Sequence, residues 1–304
     1  MKIFITGGTG FIGAHLLRIL QQTNHDMLCL VLDKEDISTN PVLTSDSVTR
    51  GNLSSPQSWI QSVEDFHPDV TIHLAWSGIP DYGARTSMTN LLNGLELLNA
   101  LVHIGCPKII GSGSCWEYGK TQGQLTEDMR PISSNAFTAA KNALHMMGSE
   151  LARDHNFCFI WTRFFYVYGP GQRPYSLLPS IITSLQQGDE PTVKTPQARN
   201  DFIYVEDVAK ALLAIAEKAT QSTVYNIGSG QATSVHSIAD RIYRHYHKVF
   251  DGSTSPSSQD VPNFWADILK LTTEIGWTPR TTLEEGIHKT IAYYQSLSME
   301  MKEV

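Results

Sequence analysis

The sequence runs to 304 residues, 41% hydrophobic and 17% charged, with a formal net charge of -7. That length allows one large α/β domain with a smaller lobe, or two modest domains, and the composition is globular, which excludes disordered and fibrous proteins. The charge is spread without long basic runs, so no nucleic-acid partner is expected. No apolar run nears the roughly 18 residues of a membrane helix, and no signal peptide precedes Lys2, so a cytoplasmic location without a membrane partner is expected.

In chain order, apolar β-type runs at residues 2–6, 27–32, 70–75, 108–112 and 157–165 alternate with helical patterns such as 10–22 and 86–103. This alternation predicts an α/β fold, a doubly wound parallel sheet of Rossmann-like type. In the stretch 86–103, Leu91, Leu95, Leu98 and Val102 share one helix face and are expected in the core. After Gly169-Pro170 the pattern loosens into turns and short helices, including 177–187, and strand-helix order returns over 202–217 and 224–227. The expected division is a dinucleotide-binding domain at residues 1–165, revisited around 202–228, and a smaller lobe at 166–201 and 229–304. The Ser- and Pro-rich stretch 253–260 reads as an exposed loop. Cys29, Cys106, Cys115 and Cys158 form no CxxC pair, so free thiols and no metal site are expected.

Gly8, Gly10 and Gly13 stand in GxGxxG spacing directly after the first strand and at the start of a helix. Such a turn lets a pyrophosphate approach backbone N–H groups at the positive end of the helix, so dinucleotide binding is expected.

Thr6-Gly7-Gly8-Thr9-Gly10-Phe11-Ile12-Gly13 resembles the TGGxGFIG turn of extended short-chain dehydrogenases, the epimerase/dehydratase family. His73-Leu74-Ala75 is similar to the family's HLA strand end, and residues 163–171, with Phe164 and Tyr166, to its RxxNVYGPG segment. Residues 200–208 resemble RDFxYVxDV, and 226–230 and 276–279 resemble C-terminal signatures. The resemblance covers nearly the whole chain. It implies that the first lobe holds NAD(P) and that the second closes over a sugar nucleotide.

In that family a Ser or Thr, a Tyr and a Lys form the active site, the last two in a YxxxK helix. Lys141 fills the lysine position, and Ser114 fits the hydroxyl position, four residues before Tyr118-Gly119. Phe137 occupies the tyrosine position, on the same helix face as Lys141, and has no proton to give. Three accounts stay open: an engineered Tyr-to-Phe change, a natural enzyme that recruits another acid, or a protein that binds without reacting. Tyr166, Tyr118, Tyr82 and Cys115 are the substitutes to examine.

Family dehydratases carry an Asp-Glu pair after the catalytic Thr, whereas Cys115-Trp116 follows Ser114 here. With Trp76 after the HLA element and Tyr166 in place of the usual Asn, the resemblance points to a 4-ketoreductase of a 4-keto sugar nucleotide. A 4-epimerase is the alternative, and a cofactor-binding protein inactivated at Phe137 the second. For the cofactor, Asp33 lies one or two positions beyond the family's usual ribose-binding acid, where Val31 and Leu32 stand, and Lys34 follows it. The expectation is NAD(P), leaning to NAD. Asn52-Leu53 takes the place of the family's Asp-Leu pair beside adenine, and Arg173 and Arg199 are candidates for the substrate diphosphate. The family commonly dimerises through two helices, with counterparts here at 86–103 and 137–154. A homodimer burying Leu92, Leu97, Met146 and Leu151 is expected.

Overall fold

The structure, a computed structural model, describes residues 1–38, 40–252 and 261–300. The first half reads β1 (Lys2–Thr6), α1 (Phe11–Leu20), β2 (Asp26–Val31), β3 (Val48–Arg50), α2 (Ile60–Phe66), β4 (Val70–His73), α3 (Ala84–Ile104), β5 (Lys108–Ser114), β6 (Gln122–Leu125) and α4 (Ala136–His155). The second reads β7 (Cys158–Phe164), β8 (Tyr166–Tyr168), α5 (Leu177–Gln187), β9 (Arg199–Tyr204), α6 (Val205–Lys218), β10 (Thr223–Ile227), β11 (Ala232–Ser234), α7 (Val235–His245), β12 (Asn263–Ala266), α8 (Leu269–Ile275) and α9 (Leu283–Glu300).

Seven strands form a parallel sheet in the order β3-β2-β1-β4-β5-β7-β10. Its central strands are buried on both faces, which is why they read as unbroken apolar runs. One face packs on α1 and α6 through Leu16, Leu17, Val208 and Leu212. The other packs on α3 and α4 through Leu97, Leu101 and Leu144, with Trp161 of β7 filling space left by Gly111 of β5. Strand order reverses between β1 and β4, and a crevice opens at the carboxyl ends of the strands there.

A second sheet, β11-β9-β12-β6, with β8 paired to β9, forms the smaller lobe with α5, α7 and α9. The division at residue 165 is crossed twice. β6 lies in the second sheet although it precedes β7, and Leu271, Ile275 and Trp277 of the last third pack into the core of the first sheet. The strand around Phe202 also belongs to the second sheet, so the return to the first begins with α6. The stretch 253–260 lies outside the described residues.

On α3 the buried apolar side chains are Leu97, Leu98, Ala100 and Leu101, whereas Leu91, Leu95 and Val102 are half-buried. Leu97 is therefore core within the chain and is not available to a partner, a correction to its expected place in a dimer interface. Among the described residues the cysteines are free and no helix is long and apolar enough to cross a membrane.

Candidate active site

A cleft of about 620 Å³ runs along the carboxyl ends of the first sheet. At one end lies the turn between β1 and α1. Gly7 has a φ of +75°, and a Cβ there would stand 2.6 Å from the backbone nitrogen of Ala75. A Cβ on Gly13 would stand 2.1 Å from the Gly7 carbonyl oxygen. These two positions let the turn close tightly against β4 and α1 and leave the first-turn N–H groups of α1 facing the cleft, the cradle that a pyrophosphate needs. Gly10, Phe11, Ile12, Leu74, Ala75 and Phe164 line the cleft here, while Gly8 is buried beneath the turn. His15 of α1 ties the turn to the second lobe, its Nε2 lying 2.9 Å from the Pro170 carbonyl oxygen. Burial holds this imidazole below its ordinary pKa.

At the end of β2 the cleft is lined by Leu32 and Glu35, with Asn52 and Leu53 beyond β3. Asp33 and Lys34 are exposed and do not line it. The chain turns here around Arg50, whose Nη1 donates to the carbonyls of Leu32, Asp33 and Glu35 at 3.0, 3.1 and 3.0 Å. The turn carries the Glu35 carboxylate back to accept from the Leu32 N–H at 3.1 Å. The acid at this end of the cleft is thus Glu35 and not Asp33.

At the centre of the cleft, Asn135 caps α4 by accepting from the Thr138 N–H at 2.9 Å, and the helix then presents Phe137 and Lys141 one turn apart. Lys141 Nζ donates to the Ser112 carbonyl at 2.6 Å and sits 3.9 Å from the centre of the Trp76 ring. Burial pushes its pKa down to about 7, and the charge of Glu117 acts in the opposite direction. His73, fully sunk in β4 and bonded to Thr6 Oγ1 at 2.7 Å, is pushed down to about 3 by burial and then by Lys141, so it stays neutral.

Phe137 packs edge-on against three aromatic rings, with centroids 5.3 Å away for Trp76, 5.2 Å for Tyr82 and 6.0 Å for Trp116. All four line the cleft together with Ser114. Ser114 ends β5 and caps a short 3₁₀ turn, its Oγ accepting from the Trp116 N–H at 3.2 Å and its own N–H donating to Glu117 Oε1 at 2.7 Å. Glu117 is fully buried, held by Arg163 Nε at 3.1 Å and by Trp161 Nε1 at 3.0 Å. This ion pair fixes the floor beneath Ser114 and takes no part in the cleft. The Ser-x-x-Glu spacing of residues 114–117, which was not among the features read from the sequence, is the capping signature that could have found this turn.

The remaining expected site residues separate. Arg173 lines the cleft, whereas Arg199 is exposed at the start of β9, its Nη2 donating to the Ala232 carbonyl at 2.8 Å away from the cleft. Cys115 is buried in a small core with Phe165 and Phe264, and burial pushes its thiol far above the ordinary range. Tyr166 does not line the cleft: its hydroxyl accepts from Trp116 Nε1 at 3.3 Å. The Tyr118 hydroxyl donates to Asn226 Oδ1 at 2.6 Å. Asp201 of the 200–208 motif accepts the N–H groups of Ser229, Gly230 and Ala266, which explains two of the motifs as clamps between strands. Among the residues lining the cleft, the acids and bases are Glu35, Tyr82, Lys141 and Arg173. Glu35 and Tyr82 sit in loops, where no periodicity marks them.

The parallel sheet, the glycine turn and the cleft at the strand-order reversal define a dinucleotide-binding α/β protein with a second lobe over its site. Residues 3–228 match the NAD dependent epimerase/dehydratase family, and the chain belongs to that family, of the extended short-chain dehydrogenase type. It is 24% identical to dTDP-D-glucose 4,6-dehydratase from Mus musculus over 97% of this chain and 88% of that one. It is 25% identical to dTDP-4-dehydro-6-deoxyglucose reductase from Escherichia coli over 95% of this chain and 96% of that one. Its fold is similar to that of UDP-glucose 4-epimerase from Thermotoga maritima in complex with UDP-glucose, with a TM-score of 0.84 and 25% identity over 98% and 100% of the two chains.

Proposed function

We propose that the chain is an NAD(P)H-dependent 4-ketoreductase of a 4-keto sugar nucleotide. The observation that carries this reading is the set of ionisable groups lining the cleft, with Glu35 the only carboxylate among the described residues that line it and placed at the end of β2. A 4,6-dehydration needs a base for a carbon-bound proton, and Cys115, Trp116 and the ion-paired Glu117 do not offer one. Reduction needs only a proton donor and an oriented carbonyl. The reductase from Escherichia coli and the epimerase bound to UDP-glucose support a nucleotide-sugar substrate.

The glycine turn fits the dinucleotide's pyrophosphate, Glu35 its adenosine ribose, and Lys141 its nicotinamide ribose. When bound in reduced form, the cofactor supplies the hydride. Ser114 Oγ donates a hydrogen bond to the carbonyl oxygen, Trp76 and Trp116 wall the sugar site, and Arg173 faces the diphosphate. The Glu35 carboxylate repels a 2′-phosphate and so favours NAD over NADP. A second copy is the proposed partner, docked on Leu92 and Met146, which are 59% and 68% exposed on α3 and α4.

A 4-epimerase is the second reading. Lys141, pushed down to about 7, can take a proton near neutral pH, and epimerisation begins by taking one from a sugar hydroxyl. The test is single-turnover mixing with NADH and a 4-keto sugar nucleotide, beside incubation with a 4-hydroxy sugar nucleotide. Loss of NADH absorbance with one alcohol product is expected. Interconversion of two 4-hydroxy epimers without net NADH use would overturn the reductase reading.

A further inference from the structure

Resting on the ketoreductase reading, we propose that Tyr82, in the loop between β4 and α3, is the catalytic acid that protonates the carbonyl oxygen in place of the phenol missing at Phe137. The ring of Tyr82 lies against Phe137 at 5.2 Å and against Trp116 at 5.0 Å, on the wall of the cleft. Among the described residues no hydrogen-bond partner holds its hydroxyl. The other candidate acids do not line the cleft: Tyr166 lies behind Trp116, whose Nε1 donates to its hydroxyl, the Tyr118 hydroxyl donates to Asn226, and the Cys115 thiol is in a buried core. Tyr82 is therefore the phenol that reaches the space in front of Phe137.

The loop that carries it is held in place. Asn90 of α3 accepts from the Ser77 N–H at 2.8 Å and donates to the Ser77 carbonyl at 3.0 Å. The Asp81 carboxylate accepts from the Gly83 N–H at 2.8 Å and from the Thr86 hydroxyl. A donor fixed by such bonds loses little entropy when a substrate arrives. Burial holds the phenol above its ordinary pKa and Arg173 acts against that, so at neutral pH the proton is present and can be given.

In the step, the carbonyl carbon takes the hydride and the C=O π pair moves to oxygen. The Tyr82 O–H bond breaks to give that oxygen its proton, leaving an alcohol, oxidised NAD(P) and a phenolate. The phenolate is reprotonated by water at the open side of the cleft, for Tyr82 is only half-buried.

The test pairs single-turnover hydride transfer with isotope-edited infrared spectroscopy of a 4-keto sugar nucleotide bound to the cofactor-free protein. Tyr82→Phe is expected to slow transfer by about 100- to 10,000-fold, with NAD(P)H affinity unchanged. It should also reduce the shift of the bound carbonyl stretch to lower frequency, leaving only the part that the Ser114 hydroxyl causes. The double variant Tyr82→Phe/Phe137→Tyr is expected to regain rate, because it returns a phenol to the same wall. Equal transfer by the unchanged chain and Tyr82→Phe, or slowing with the carbonyl shift undiminished, overturns the role of Tyr82 and leaves the reductase reading in place. No transfer and no shifted band in the unchanged chain overturns both.

Discussion

Replacing Gly10 and Gly13 one at a time should separate cofactor binding from folding. A Cβ on Gly13 meets backbone, the Gly7 oxygen at 2.1 Å and Gly8 Cα at 2.6 Å, so Gly13→Ala must push α1 off the turn. Overpacking of this kind costs about 1–3 kcal/mol. With an unfolding entropy of about 2.1 cal/mol/K per residue over 304 residues, that is a fall in Tm of roughly 2–5 °C. Gly10 differs. Its nearest neighbour is the Gly7 oxygen at 3.2 Å, and its φ of −73° and ψ of 176° suit any residue. Gly10→Leu should change stability by no more than about 0.5 kcal/mol, since its side chain enters the cleft and not the protein. There it stands before the N–H groups of the first turn of α1. Losing even one charge-assisted hydrogen bond to a pyrophosphate costs about 1.5–3 kcal/mol, roughly 10- to 150-fold in Kd. Thermal melts and NADH fluorescence titrations on the same preparations measure both effects. Wild-type affinity in Gly10→Leu would refute the assignment of the turn, and an unchanged Tm in Gly13→Ala would refute the packing argument.

Glu35→Gln should narrow the preference for NADH over NADPH in paired titrations; a native preference for NADPH would count against Glu35 as the selecting group. Glu117→Ala leaves Arg163 buried without its ion pair, and a cost of about 3–5 kcal/mol should appear as a Tm lower by roughly 5–8 °C. Lys141 has its pKa lowered from 10.5 to about 7, so between those values the unfolded chain binds more protons than the folded one and stability rises with pH. Lys141→Met should flatten that rise in urea titrations across the same window. Leu92→Glu/Met146→Glu should convert a dimer to a monomer in light scattering; a monomeric unchanged chain at tens of micromolar would exclude the proposed partner surface.

How much of this was legible in the sequence follows from where the information lies. Central parallel strands announce themselves as apolar runs, and β1 falls on the residues expected for it. The second sheet is silent by comparison. β6 reads Gln-Gly-Gln-Leu with Leu125 its one buried side chain, and β8 and β11 are three residues each, too short for a period-two signal. The spacing of Phe137 and Lys141 survives intact because helix geometry is local. Asp33 was the acid expected at the end of β2, but Arg50, eighteen residues from Leu32, bends the chain there and brings Glu35 to the cleft instead. Arg199 fails for a similar reason, its partner Ala232 arriving from a strand that composition does not reveal. Tyr82 was only one of three candidate tyrosines until the fold placed it alone of the three on the cleft wall.

Protonation decides between the reactions that this fold can host. Epimerisation and dehydration both begin by taking the proton of a sugar hydroxyl, so they need a base that is free at neutral pH. A reductase never takes that proton and needs an acid that still holds its own. A tyrosine at position 137, beside the Lys141 ammonium, would have its pKa lowered toward neutrality and could serve either direction. With phenylalanine there the two demands fall on different groups. Tyr82, held above its ordinary pKa by burial, keeps its proton, whereas Lys141 near 7 is the group able to accept one. Lys141, however, is tied to the Ser112 carbonyl and lies over the Trp76 ring, and both contacts favour the ammonium. A base that must break both contacts is poorly placed to start an oxidation, and a phenol with a free hydroxyl is well placed to finish a reduction. On the proposed reading, phenylalanine at position 137 biases this cleft toward giving a proton, which is the direction of ketone reduction.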